Sequence, residues 1–171
     1  NFAVALVLIY LLLVAIFNHW GYPLVILTTI PLGLAGGLVG LIALNGAGVS
    51  QPFDMITMLG FLILLGTVVN NPILIVDRTL QNLRDGQTSP QQAVTEAVDA
   101  RLRPIMMSMI TTVAGLSPLV FIPGAGTELY RGVGVIVLAG LVFSTVVTVT
   151  LLPVLLTTVL SLRRSPPGAA A

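Results

Sequence analysis

The sequence predicts an all-α polytopic membrane protein with five transmembrane helices plus one short cytoplasmic amphipathic helix. Three observations carry that expectation. Hydrophobic residues make up 56% of the 171 positions and charged residues only 8%, where a soluble domain carries about 25% charged residues. The mean hydropathy is +1.07, too apolar for a chain dissolved in water. Five apolar segments approach or exceed the roughly 20 residues that a crossing needs, and only one hydrophilic stretch of any length interrupts them.

Composition also removes several function classes. A net charge of +1 gives no reason to expect nucleic acid as a partner. The chain has no cysteine, so it carries no disulfide framework, thiol chemistry or Cys-metal site. All seven basic residues are arginine, so a phosphate loop of the Gly-x-x-x-x-Gly-Lys type is excluded. The one histidine, His19, falls in a turn rather than in a span, which argues against an intramembrane protease. Met106, Met107 and Met109 read as packing residues more readily than as soft-metal ligands. No catalytic residue, cofactor or metal is therefore expected, and the chain is not read as an enzyme. Transport, a channel or a purely structural role remain. The first residue is Asn1, and apolar residues come at once with no basic stretch, unlike a signal peptide. The chain reads as a piece of a longer polypeptide.

The first span is expected at 2–17. It ends in Asn18-His19-Trp20-Gly21-Tyr22, whose Trp20 and Tyr22 suit a membrane–water interface. The second is expected at 24–44, kinked by Pro31. Its Gly33/Gly37 and Gly36/Gly40 pairs are small-xxx-small spacings that let another helix come close. Asn45 to Phe53 is a Gly/Ser/Pro loop, and Asp54 is placed to cap the third helix. The third span is expected at 55–76. At about 100° per residue Gly66, Asn70 and Asp77 share one face, and Thr67, Asn71 and Arg78 the next. Pro72 has no N–H, so the Val68 carbonyl loses its helical donor, and Asn71 or a neighbouring helix must supply one.

The connection at 80–103 is hydrophilic. Asp85-Gly86 ends the third helix, and Ser89-Pro90-Gln91-Gln92 reads as a capping box with proline at the first helical position. Ala93, Val94, Ala97 and Val98 then make an apolar stripe, which predicts the short amphipathic helix lying along the membrane surface. The fourth span is expected at 104–122, with Arg101, Ser108, Thr111, Thr112 and Gly115 on one polar or small face. Pro123-Gly124-Ala125-Gly126 turns the chain into a fifth span at 132–162, whose small face carries Gly140, Ser144 and Thr148. The transmembrane domain thus occupies 1–162 and is incomplete, and 163–171 is a tail. Four arginines lie between Arg78 and Arg103 and two more begin the tail. The positive-inside rule puts both in the cytoplasm, with the 45–54 and 123–131 loops outside.

Two adjacent amides and a proline inside an apolar run are costly in hydrocarbon unless they find partners. Asn70 and Asn71 either glue helices together or line a polar path through the protein. Residues alone leave both open.

Three runs bear on the choice. They are Gly66-x-x-x-Asn70-Asn71-x-Ile73-Leu74-Ile75-Val76-Asp77, then Ala97-x-x-x-Arg101-Leu102-Arg103-Pro104-Ile105-Met106-Met107-Ser108, then Gly115-Leu116-x-Pro118-Leu119, with Pro31-Leu32-Gly33 and Pro153-Val154 in support. Together they resemble the C-terminal transmembrane block of resistance–nodulation–division (RND) efflux transporters, of the hydrophobe/amphiphile type, over nearly the whole chain. The resemblance implies the last five of twelve helices of a proton-driven subunit in the bacterial inner membrane. It implies as partners the remaining half of the same transporter, a homo- or hetero-trimer, a periplasmic adaptor, an outer-membrane channel and the lipid bilayer. It also implies proton-pathway roles. The family's lysine position falls on Asn70, beside Asn71, and the arginine and hydroxyl of the next helix fall on Arg101 and Ser108, with Thr111 and Thr112 one turn beyond. The family's acidic pair is absent from this chain, and Asn70 stands where the lysine would be. A structural or assembly subunit without transport of its own is the alternative.

Overall fold

The computed structural model describes residues 1–86 and 89–164. Gln87, Thr88 and the tail from 165 to 171, which belong to the expected connection and tail, lie outside the described residues. The described chain forms α1 (Phe2–Phe17), α2 (Gly21–Gly46), α3 (Met55–Arg84), α4 (Pro90–Phe121) and α5 (Thr127–Arg164). The four helices α2 to α5 are long and apolar enough to cross a membrane. With 16 residues, α1 rises about 24 Å, short of a hydrocarbon core of about 30 Å.

Local chemistry sets most helix ends. Asn18 closes α1 in the left-handed conformation at φ 50°, which asparagine tolerates better than most residues. His19 accepts the Gly21 N–H at 2.8 Å through Nδ1, so it serves the turn that opens α2. Asp54 caps α3 as its position suggests: Oδ1 accepts the Thr57 N–H at 2.9 Å and the Thr57 hydroxyl at 2.8 Å. Those two bonds hold the Asp54 carboxyl below the usual carboxylate range. At the other end of α3, Asp85 is the C-cap and Gly86 takes φ +93°, a conformation that costs glycine nothing.

Two expectations for the connection are corrected. Among the described residues there is no separate short amphipathic helix, because α4 runs without a break from Pro90 through Pro104 to Phe121. Its apolar stripe does not lie on a membrane surface. Ala93, Val94 and Ala97 are 0%, 2% and 0% exposed, packed against α3 and α5, and the Asn82 side chain donates to the Ala93 carbonyl at 3.1 Å. With that stripe buried, the helix continues past a proline that would otherwise end it. The capping box does not form either. Pro90 opens the helix, but the Ser89 side chain makes no cap bond, and Gln92 turns forward to Glu96 at 3.2 Å instead of back to the cap. Of the two interfacial aromatics, Trp20 is 66% exposed, whereas Tyr22 is buried, with its ring centroid 5.0 Å from that of His19.

The helices pack in an alternating up-and-down order, with α2, α3 and α5 at the centre. The glycine ridge of α2 makes this possible. A Cβ at Gly33 would lie 2.8 Å from Val68 and 3.3 Å from Ser144, and one at Gly37 would lie 2.9 Å from Leu64 and 3.1 Å from Ile136. Rising numbers on α2 thus meet falling numbers on α3 and α5, so α2 runs antiparallel to both. Helices α3 and α5 are parallel, since Gly60 faces Ile136 and Gly140 faces Leu64. Arg78, Arg84, Arg101 and Arg103 consequently sit at the end of the bundle where α5 terminates, and Arg131 at the opposite end. The core joins Ile26, Ile30, Leu64, Val68, Ile75, Ile136, Leu152 and Leu156, all 0 or 1% exposed. In α4, by contrast, only 6% of the apolar stretch is buried, against 44% to 56% in α2, α3 and α5.

Candidate functional site

Polar side chains are scarce at membrane depth in this chain, and several of them converge. A cleft of about 370 Å³ opens between α1, α3 and α4. Gly66, Thr67, Asn70 and Asn71 of α3 form its floor, Ser108 and Thr112 of α4 one wall, and Ile9, Leu12 and Leu13 of α1 the other. The placement comes from helical periodicity. Gly66 and Asn70 are one turn apart and both exposed, and nothing lies within 4 Å of a Cβ built at Gly66. Asn71 lies deeper, at 6% exposure. Thr67 is not free to serve a ligand, because its hydroxyl donates to the carbonyls of Ile63 and Leu64 at 3.2 and 3.0 Å.

Four of the six residues singled out from the sequence therefore share one cleft: Asn70, Asn71, Ser108 and Thr112. The other two do not line it. Thr111 faces outward and donates to the Met107 carbonyl at 2.9 Å. Arg101 is half-buried and lies seven residues from Ser108, about 10 Å along the axis. Asp77 and Arg78 are engaged below the cleft, where Gln81 donates to Asp77 at 2.9 Å and accepts from Arg78 at 3.3 Å. The apolar wall from α1 is not legible in the sequence. Leu13, 1% exposed, is the deepest residue of α1, and its periodicity is indistinguishable from that of any lipid-facing helix.

The chemistry of the cleft is that of neutral groups that both donate and accept. An amide offers two donors and an acceptor, and a hydroxyl one of each. Such a set binds water, or a carboxyl in either protonation state. Among the described residues no three His, Asp or Glu side chains come together as metal ligands.

Comparison with known proteins shows the family to which the helices belong. Residues 1–160 match the family model of the AcrB/AcrD/AcrF family. Multidrug resistance protein MdtC is 35% identical over 150 residues in Salmonella paratyphi A, Citrobacter koseri and Escherichia coli, covering 88% of this chain. Two crystal forms of a heavy metal efflux pump superpose with TM-scores of 0.76 and 0.71 at 28% identity, over 91% and 93% of this chain. The chain spans 14% of the length of these curated relatives and 14 to 15% of the pump chains. The match over 160 residues and the shared helix arrangement place the chain in the AcrB/AcrD/AcrF family of RND efflux transporters.

Proposed function

We propose that this chain forms the last five transmembrane helices of a proton-driven exporter of drugs or other amphiphiles in the bacterial inner membrane. The observation that carries the reading is the cleft. It gathers Asn70, Asn71, Ser108 and Thr112 at membrane depth, beside a helix, α4, whose span is almost wholly unburied. Polar groups in that position are expensive facing lipid and are retained where protein or a proton path covers them. The remaining half of the transporter supplies that cover and the acidic groups that titrate. A neutral amide at 70 can hydrogen-bond such an acid whether or not it is protonated, whereas lysine would favour the ionised form. Ser108 relays, because a hydroxyl accepts one proton while releasing another. Arg101, about two turns away, draws water toward the cleft from the arginine-rich end, and Thr111 and Thr112 extend the same helix. Identity of 35% to the multidrug resistance relatives, against 28% to the heavy metal pump, supports amphiphiles as cargo. A trimer with a periplasmic adaptor and an outer-membrane channel is the assembly in which such a subunit would work.

The test uses the full-length transporter in proteoliposomes with an imposed pH gradient and an amphiphilic dye as cargo. Ser108→Ala should slow proton-coupled export about tenfold, the loss expected for roughly one hydrogen bond in the rate-limiting state, while Ser108→Thr works. Equal rates for serine, threonine and alanine at 108 would remove the relay.

The orientation we propose has α1 crossing as a fifth span and the arginine-rich end in the cytoplasm. Single cysteines at Gln92 and Gly126, both exposed, should then react with an impermeant maleimide from opposite faces of sealed vesicles, Gln92→Cys only from the cytoplasmic face. Labelling of both from one face would reject the five-span arrangement.

A further inference from the structure

Two hydroxyls in the middle of the bundle have no partner among the described residues. Ser144 and Thr148 of α5 are both 0% exposed, and Ser144 Oγ and Thr148 Oγ1 make no hydrogen bond. They depart from the habit of their own helix. Thr145, Thr150, Thr158 and Ser161 each donate to a carbonyl three or four residues back, at 2.7 to 2.8 Å. Buried polar groups are nearly always paired, and an orphan calls for an explanation.

The explanation lies on the helix opposite. Gly60 faces Val133 and Ile136, Leu64 faces Gly140, and Val68 and Ser144 meet at the same point, the missing Cβ of Gly33. From Ile136 on, each step moves four residues along both α3 and α5, which run parallel, and the same spacing carried one step further sets Thr148 level with Pro72. Pro72 is buried inside α3 and has no N–H for the carbonyl of Val68. An acceptor without its helical donor and two donors without acceptors therefore lie at the same depth, on helices in contact. Elsewhere in the molecule the same defect is repaired. Pro118 strips the Ala114 carbonyl of its helical donor, and the Ser117 hydroxyl donates to that carbonyl at 2.8 Å.

We propose that Ser144 and Thr148 are positioning residues for the Asn70-Asn71-Pro72 segment, unpaired in this conformation and paired with the Val68 carbonyl in a second one. The second conformation is reached by a small axial or rotational shift of α3 against α5. The glycine notches at this contact are already filled, Gly140 by Leu64 and Gly33 by Val68, so the shift moves those side chains together with the α3 backbone. The shift carries Asn70 and Asn71 with it, because they are on the same turn of α3, and so changes what the cleft presents to a neighbouring acid. This deepens the proposed proton coupling and rests on that reading.

The test separates the two conformations by their response to removing the hydroxyls. In the full-length transporter, Ser144→Ala and Thr148→Val delete groups that are unsatisfied here, so each should raise the unfolding temperature. Each should also lower proton-coupled turnover several-fold, since the second conformation loses a bond. Thr148→Ser keeps the hydroxyl and should restore wild-type turnover. A lower unfolding temperature for both deletions would show that the hydroxyls are already bonded and overturn the proposal. So would raised stability with unchanged turnover. If the unmodified transporter shows no proton-coupled export, the functional reading fails, while the stability result still reports on the unpaired hydroxyls.

Discussion

Gly36→Leu is expected to weaken the packing of α2 on α5 and lower the heat resistance of the bundle. A Cβ at position 36 would run into the side chain of Phe143, within 2.7 Å of its Cγ and 2.9 Å of Cδ1. The atoms met first are those nearest the α5 backbone, so a rotamer change of Phe143 cannot make room and the two helices must part. One turn on, Gly40 sits against the Ala139 Cβ, so no slack is available along the ridge. Overpacking of this kind costs about 1–3 kcal/mol, and a leucine forced between two backbones belongs at the upper end. The gain in helix propensity over glycine, about 1 kcal/mol, offsets only part of it. The measurement is the fraction of full-length protein that remains monodisperse after heating in detergent. Gly46→Ala is the control: it lies at the end of the same helix with nothing within 4 Å, and should leave that fraction unchanged. A Gly36→Leu protein as heat-resistant as the parent would mean that α2 and α5 do not approach as described.

The second large effect is expected at the amides. Asn70→Leu should cut proton-coupled export in proteoliposomes between about tenfold and a hundredfold, the loss of roughly one hydrogen bond to a charged group. Membrane levels of the protein should hold, because Asn70 is exposed in the cleft and leucine there breaks no packing within the chain. Asn71 responds differently. It is 6% exposed, so Asn71→Leu should lower both export and the amount of folded protein. The contrast between the two positions separates a group that acts on a neighbour from one that holds helices together. Normal export with leucine at 70 would assign Asn70 to packing alone.

The family resemblance rests on runs in α3 and α4, and the two runs are brought together by the α3–α4 hairpin. Adjacency along one helix face is readable for Ser108 and Thr112, because helical periodicity is local. Whether Arg101 and Thr111 belong to the same cleft is not, because it depends on where α1 and α3 approach α4. Thr111 falls just past the edge of that contact, and Arg101 falls beyond its end.

Within the fold, the features decided by sequence alone are those with short-range causes. Five apolar runs became the five helices, because apolar residues in hydrocarbon must satisfy their backbone groups internally. Asp54 caps α3, Asp85-Gly86 stops it, and the Gly33/36/37/40 ridge admits α5. Each depends on a few neighbouring residues or on the lack of a side chain. Tertiary structure decided the rest by burial. Pro104 reads as a helix boundary, yet α4 passes through it because Ala93, Val94 and Ala97 gain more from packing on α3 and α5 than the proline costs. Tyr22 is likewise buried, against His19, although Trp20 in the same turn is exposed. The unpaired hydroxyls of Ser144 and Thr148 are the sharpest case. In sequence they are two small residues one turn apart, and only the tertiary structure buries both hydroxyls without a partner and brings Ser144 beside Val68, whose carbonyl Pro72 deprives of its helical donor.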